Sequence, residues 1–148
     1  MSDTYVPMIS SGVAGPLGVI HLPRLWLKAS LEARGKLAAG YPGCGKGYDQ
    51  MVLDGLGLDR QKTIDYIKNS RPNYTQFEAW VKSQPGVKLG RGQVENLNAS
   101  IRGYNHDEGT RKSILSAAGL PDDCSAPLDA VNLNNLDDWT EFHSAVLK

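Results

Sequence analysis

Apolar side chains in this chain recur at three- and four-residue spacing, segment after segment, and almost nowhere alternate with polar ones. That period lets a helix bury one face, and it leaves a sheet nothing to bury. Gly, Pro and capping residues interrupt the pattern at short intervals. The expected fold class is therefore all-α or nearly so: a compact bundle of about six or seven short helices. A length of 148 residues suits one domain. The expected organisation is an extended, Gly/Pro-rich N-terminal arm over 1–21 and a single helical domain over 22–148.

The first helix is expected over "HLPRLWLKASLEARGKLAA", with Pro23 in its first turn and Gly40 ending it. Arg24, Lys28, Glu32 and Lys36 form one polar stripe. Leu22, Trp26, Ala29, Ala33 and Leu37 form the apolar stripe opposite, and Leu27, Leu31 and Ala38 a second apolar strip. A helix apolar on two sides is central in its domain or lines a dimer contact, here a homodimer through Leu27 and Leu31. A second helix fits "YDQMVLDGL", stopped by Gly57, and a third fits "RQKTIDYIKNS", capped by Asp59. Thr75 and Glu78 read as a capping box opening the helix of Phe77, Trp80 and Val81. "VENLNASIRGY" and "DEGTRKSILSAAGLP" follow, the latter stopped by Gly119 and Pro121. Asn135 is expected to cap a last helix holding Leu136, Trp139, Phe142 and Val146.

Sixteen basic and sixteen acidic residues cancel. That balance argues against a nucleic-acid binder, which carries a basic surplus to neutralise phosphates. The aromatic residues sit at helical core spacing without interleaved bases, so they read as core and not as a base-stacking platform. The charge is unevenly placed. From Gly119 onward six acids face one base, leaving the last thirty residues at −5 and the first 118 at +5. An acidic tail docked on a mildly basic body is the expected arrangement. Cys44 and Cys124 lie far apart with no CxxC pair, which reads as a reduced, cytoplasmic chain. The N-terminus lacks the basic region of a signal peptide. No apolar run approaches the ~18 residues of a membrane span.

"GYPGCGKG", residues 40–47, matches most of a phosphate-binding P-loop, G-x-x-x-x-G-K-[ST]. Gly47 stands where the motif needs a hydroxyl for Mg²⁺, and a helix, not a strand, is expected before it. The glycines read instead as a sharp turn between two helices. A Gly-rich loop with Lys46, opening onto a helix N-terminus, still suits a carboxylate or phosphate. His21 precedes the first helix. It reads either as part of a polar site with Arg24 and Asp49 or, preferred, as a half-exposed junction histidine. His106 belongs to a turn or cap, and His143 to the last helix. No histidine or cysteine spacing fits a metal, so no metal and no cofactor are expected. Asp137, Asp138 and Glu141 fall near one face of the last helix, which suits a hard cation, but they read, preferred, as first-turn acids that a helix dipole selects. Cys44, near Lys46, is the nucleophile candidate, because a neighbouring cation lowers a thiol pKa.

The run "GPLGVIHLPRLWLKASLEARGKL", followed by "GYDQMVLDGLGLD", "YI" and "FEAWV", resembles a family of small bacterial helical proteins classed as a domain of unknown function. The resemblance rests on His21, Leu22, Pro23, Arg24, Lys28, Gly35, Lys36, Leu37, Asp49, Leu56, Gly57 and Asp59. "ILSAAGLPDD" to "LDDWTEFH" is similar to the longer members. The resemblance implies a compact, helical, cytoplasmic protein and no activity. The "YPGCGKG" loop departs from the family pattern, which ranks the H-L-P-R opening and Asp49 above it as a common site.

Two functions follow as expectations. The first is a non-enzymatic binding or interaction module for a small anionic ligand or a protein partner, with His21, Arg24, Lys46 and Asp49 as ligand-binding residues. The second is a small enzyme using His21, Arg24 and Asp49 with Cys44, Tyr41 or Tyr48. For a module, Arg24 and Asp49 are expected to pair with each other. Arg24→Ala is expected to abolish ligand binding and spare stability.

Overall fold

The fold is all-α. In a computed structural model, which describes residues 3–123 and 125–148, seven helices follow in order. They are α1 (Leu22–Ala33), α2 (Tyr48–Leu56), α3 (Arg60–Ser70), α4 (Tyr74–Ser83), α5 (Arg91–Arg102), α6 (Glu108–Ala118) and α7 (Ala130–Phe142). A π-helical turn, His143–Leu147, extends α7. Extended pairing among the described residues is confined to three isolated bridges, Tyr5 with Leu37, Ala14 with Ile20 and Asn105 with Asp129. No helix of the described residues is long and apolar enough to cross a membrane. Cys124, expected as a reduced thiol, lies outside the described residues.

Local chemistry explains most of the boundaries. Asp59, Asp107 and Asp129 each accept a hydrogen bond from the amide three residues on, satisfying an orphan donor of α3, α6 and α7. Gly57 and Gly119 take the left-handed conformation that closes α2 and α6. Three boundaries correct the sequence reading. α1 stops at Ala33, because Gly35 adopts φ +68° and the next residues turn extended to pair with Tyr5. The α4 box is formed by Asn73 and Gln76, so that helix starts before Thr75. α7 starts at Ala130 under Asp129, five residues before the expected Asn135 cap.

The main core joins α1 (Leu22, Leu25, Ala29), α2 (Val52, Leu53, Leu56), α3 (Ile67), α4 (Phe77, Val81) and α5 (Leu97, Ile101). The N-terminal segment belongs to this packing: Val19 and Ile20 are buried in it. α1 touches α2, α3 and α4, and Leu27 and Leu31 are half-buried on it. α6 and α7 pack on each other around a smaller core of Ile114, Leu115 and Leu133. Buried Arg111 binds the loop that joins them, donating to Pro127 O, Asp123 O and the Asp122 carboxylate. Trp139, expected inside, is 59% exposed; α7 contributes Leu133 and Leu136, not Trp139, to the smaller core. The two packed units meet beside the first turn of α1, and the groove between them forms a cleft.

Candidate functional site

Positions 21, 24 and 28 recur at three and four residues, so they share one face of α1 and its cap. Arg24 and Lys28 were expected in a polar stripe with Glu32 and Lys36, and those two are exposed. The end of the face nearer the N-terminus points inward instead: His21 is 1%, Arg24 4% and Lys28 6% exposed. A buried charge must be paired and hydrogen-bonded or it costs several kcal/mol, so each of the three needs a partner. The partners are two aspartates, Asp49 on α2 and Asp138 on α7.

Asp49 receives three donors. Its Oδ1 lies 2.6 Å from His21 Nε2, and its Oδ2 accepts from Lys28 Nζ at 2.6 Å and from the Gly45 amide at 2.7 Å. The other ring nitrogen of His21 meets Ser11 Oγ at 3.0 Å. A neutral ring satisfies both contacts: Nε2–H donates to the carboxylate, and Nδ1 accepts the buried Ser11 hydroxyl. His21 therefore corrects the junction reading. It is a buried connector whose φ of +69° bends the chain into α1.

Arg24 does not meet Asp49, contrary to expectation. Its guanidinium forks onto Asp138, Nη1 to Oδ2 at 2.6 Å and Nη2 to Oδ1 at 3.0 Å. Nη1 also donates to Pro7 O and Ile9 O, and the Tyr41 hydroxyl donates to Asp138 Oδ1 at 3.0 Å. Asp138 thus corrects the reading of the 137–141 acids as first-turn residues. They lie in the C-terminal half of α7, where the dipole disfavours an acid. Arg24 supplies what the helix does not. The expected docking of the acidic tail on the basic body is this pair.

The 40–47 loop is not a phosphate cradle. The Gly45 amide is spent on Asp49, and Arg60 holds the loop carbonyls of Cys44 and Gly45. Cys44 is half-buried in a separate cleft with Glu32, Arg60 and Lys68. Burial and the Asp49 charge push its thiol above the ordinary value, the reverse of the activation expected. Lys46 is exposed and lines the main cleft.

That cleft, of about 840 Å³, has His21, Arg24, Lys28 and Asp49 in its floor. Tyr48 of α2 with its N-cap Gly47, Thr110 of α6 with its N-cap Asp107, and Ala130 of α7 contribute to its walls. The first turns of four helices therefore face one space. Of the residues singled out from the sequence, His21, Arg24, Lys46 and Asp49 all line it, and Cys44 does not. Lys28 and Ser11 were missed as site groups, and Asp137 and Asp138 were set aside as first-turn acids. The 21/24/28 spacing was the available signal for Lys28. Asp138 had none, because its partner lies 114 residues away.

Burial pushes Asp49 up, but the hydrogen bond from His21, then the charge and hydrogen bond of Lys28, outweigh it and hold the carboxyl below its usual range. Burial holds His21 below its ordinary value, against the pull of Asp49 and with the help of Lys28 and Arg24. A histidine kept neutral stabilises the fold only where the unfolded chain is also neutral, above about pH 6.5. Below that the unfolded chain binds the extra proton, so stability falls as pH falls. Asp49 acts in the same direction lower down, losing its contribution below about pH 4. The melting temperature is expected to drop in two steps on acidification from pH 7.5. In His21→Asn, which tolerates the left-handed backbone, the upper step should vanish. A wild-type melting temperature flat from pH 7.5 to 5 would rule out a neutral His21.

Comparison with family models and with curated proteins finds no match to this chain.

Proposed function

We propose that the protein is a non-enzymatic binding module whose cleft takes a small anionic ligand. One observation carries this reading: four helix N-termini line a cleft whose floor charges are already balanced within the protein. Asp49 is offset by Lys28, and Asp138 by Arg24. What is left over is the positive end of each helix, worth about half a unit charge apiece and partly taken up at α6 and α7 by the Asp107 and Asp129 caps, together with Asp137 and Lys46, which form no ion pair among the described residues. The first turns of α1 and α2, which no side chain caps, and the exposed Lys46 ammonium are the chemistry that holds a carboxylate or phosphate.

Binding is favoured over catalysis because His21, Tyr41 and Tyr48, the histidine and phenols nearest the buried aspartates, are occupied or ill-tuned. Both nitrogens of His21 are engaged. Burial raises the Tyr41 and Tyr48 phenols far from neutrality, with Asp138 adding to the first and Asp129 to the second. A general base works best with a free nitrogen or oxygen and a pKa near the operating pH. His21, Arg24, Lys28 and Asp49 also carry the family resemblance, which makes this floor the element such proteins would share. The far-separated cysteines suit a reducing compartment, and we place the protein in the cytoplasm.

Thermal-shift and calorimetric titration with inorganic phosphate, acetate and citrate test the reading. At a hundred times its dissociation constant, a ligand adds roughly 2.7 kcal/mol, a shift of several degrees. Lys46→Ala should weaken binding roughly tenfold, since a hydrogen bond to a charged group contributes about 1.5–3 kcal/mol. Its melting temperature should not change, because Lys46 is exposed. Equal affinity in Lys46→Ala, or no shift with any anion, would defeat the proposal.

A further inference from the structure

The wall of the cleft carries a second signal, independent of charge. Four rings run along it in sequence. His21 and Tyr48 have centroids 5.3 Å apart, Tyr48 and Tyr104 5.5 Å, and Tyr104 and His106 6.3 Å. All four line the same cleft. Three of them are held by hydrogen bonds: His21 as described, Tyr48 through its hydroxyl to Ile101 O at 2.6 Å, and His106 through Nε2 to Asn134 at 2.8 Å. Tyr104 is different. The residue is 43% exposed, although it stands between two neighbours in the series. Its backbone is nevertheless fixed, donating to Ile101 O and accepting from the Ala130 amide.

A ring flanked by two others that still leaves much of its surface to solvent offers a stacking surface ready before a ligand arrives. Aromatic rings attract other rings in offset or tilted geometry beyond simple area burial, and a fixed ring loses little freedom on contact. We infer that the anion taken by this cleft carries a planar aromatic ring, packed against Tyr104 while its charged group meets Lys46 and the helix N-termini. This inference rests on the anion-binding reading and narrows it to ring-bearing carboxylates or phosphates.

Matched pairs of probes separate the two claims. Benzoate is compared with cyclohexanecarboxylate, and phenyl phosphate with cyclohexyl phosphate, by calorimetry and proton NMR on the full chain at fixed ionic strength. The members of a pair share charge and approximate size and differ in flatness and π-character. The aromatic member of at least one pair should bind about three- to tenfold tighter. Its ring protons should shift upfield against Tyr104. Tyr104→Phe should keep the preference and Tyr104→Leu should lose it, with both variants melting near wild type. Equal binding of both members of each pair would overturn the ring and leave the anion site standing. A preference that survives in Tyr104→Leu would also overturn it. Binding by none of the four would overturn both claims.

Discussion

Asp49→Asn is expected to destabilise the protein by about 3–5 kcal/mol, the cost of breaking a buried ion pair from one side. For a chain of this length that is a drop of about 10 °C or more in melting temperature. The substitution keeps shape and removes charge. Its carbonyl oxygen can replace Oδ2 and still accept from Lys28 and Gly45. His21 can adapt by swapping tautomers, with Nδ1–H donating to Ser11 and Nε2 accepting from the new amide. What has no remedy is the ammonium of buried Lys28, left without a counter-charge. The compensating test is Lys28→Met in the Asp49→Asn background. The double variant should be more stable than Asp49→Asn alone, because the uncompensated charge is gone. An Asp49→Asn protein within about 1 kcal/mol of wild type would show that Asp49 does not balance Lys28.

The same residues show how far the sequence could be read. The spans of α2, α3 and α6 were legible because their limits are chemical and local: Asp59, Gly57, Asp107 and Gly119 act on their own backbone within four residues. The end of α1 was misplaced because two glycines, Gly35 and Gly40, both reach positive φ, and nothing local says which one acts first. The start of α7 was misplaced because "AVNLNN" is rich in Asn, a poor helix former that disguises a first turn. The site was legible in its parts and not in its pairing. His21, Arg24, Lys46 and Asp49 were named from local pattern, and they do face one cleft. The inward turn of Arg24 and Lys28 was hidden, because a run of basic residues on a helix is solvated unless acids elsewhere in the chain come to meet it. Asp49 and Asp138 do so from 21 and 114 residues away, a matter of tertiary packing.

Arg24→Ala is the variant with the broadest expected consequence, and it reverses the outcome foreseen from the sequence. The guanidinium joins three pieces of chain: its own helix α1, the N-terminal segment through Pro7 O and Ile9 O, and α7 through Asp138. Truncation leaves a carboxylate at 3% exposure with only the Tyr41 hydroxyl to bind, and it leaves two carbonyls short of a donor. A loss of about 3–5 kcal/mol is expected, with Arg24→Lys also costly because an ammonium cannot reproduce the two-nitrogen fork. The damage should be regional as well as global. Amide exchange should accelerate first in residues 5–13 and in α7, since these are the elements that Arg24 ties to the body, while α3 and α4 keep their protection. That pattern distinguishes a strut from a ligand-binding arginine, whose loss would lower affinity and leave both segments protected. Because α7 forms one wall of the cleft, affinity for the anion should fall too, but only as far as Asp138→Asn lowers it by loosening the same wall. Arg24→Ala with native melting temperature, native exchange and no anion binding would place the guanidinium on the ligand instead.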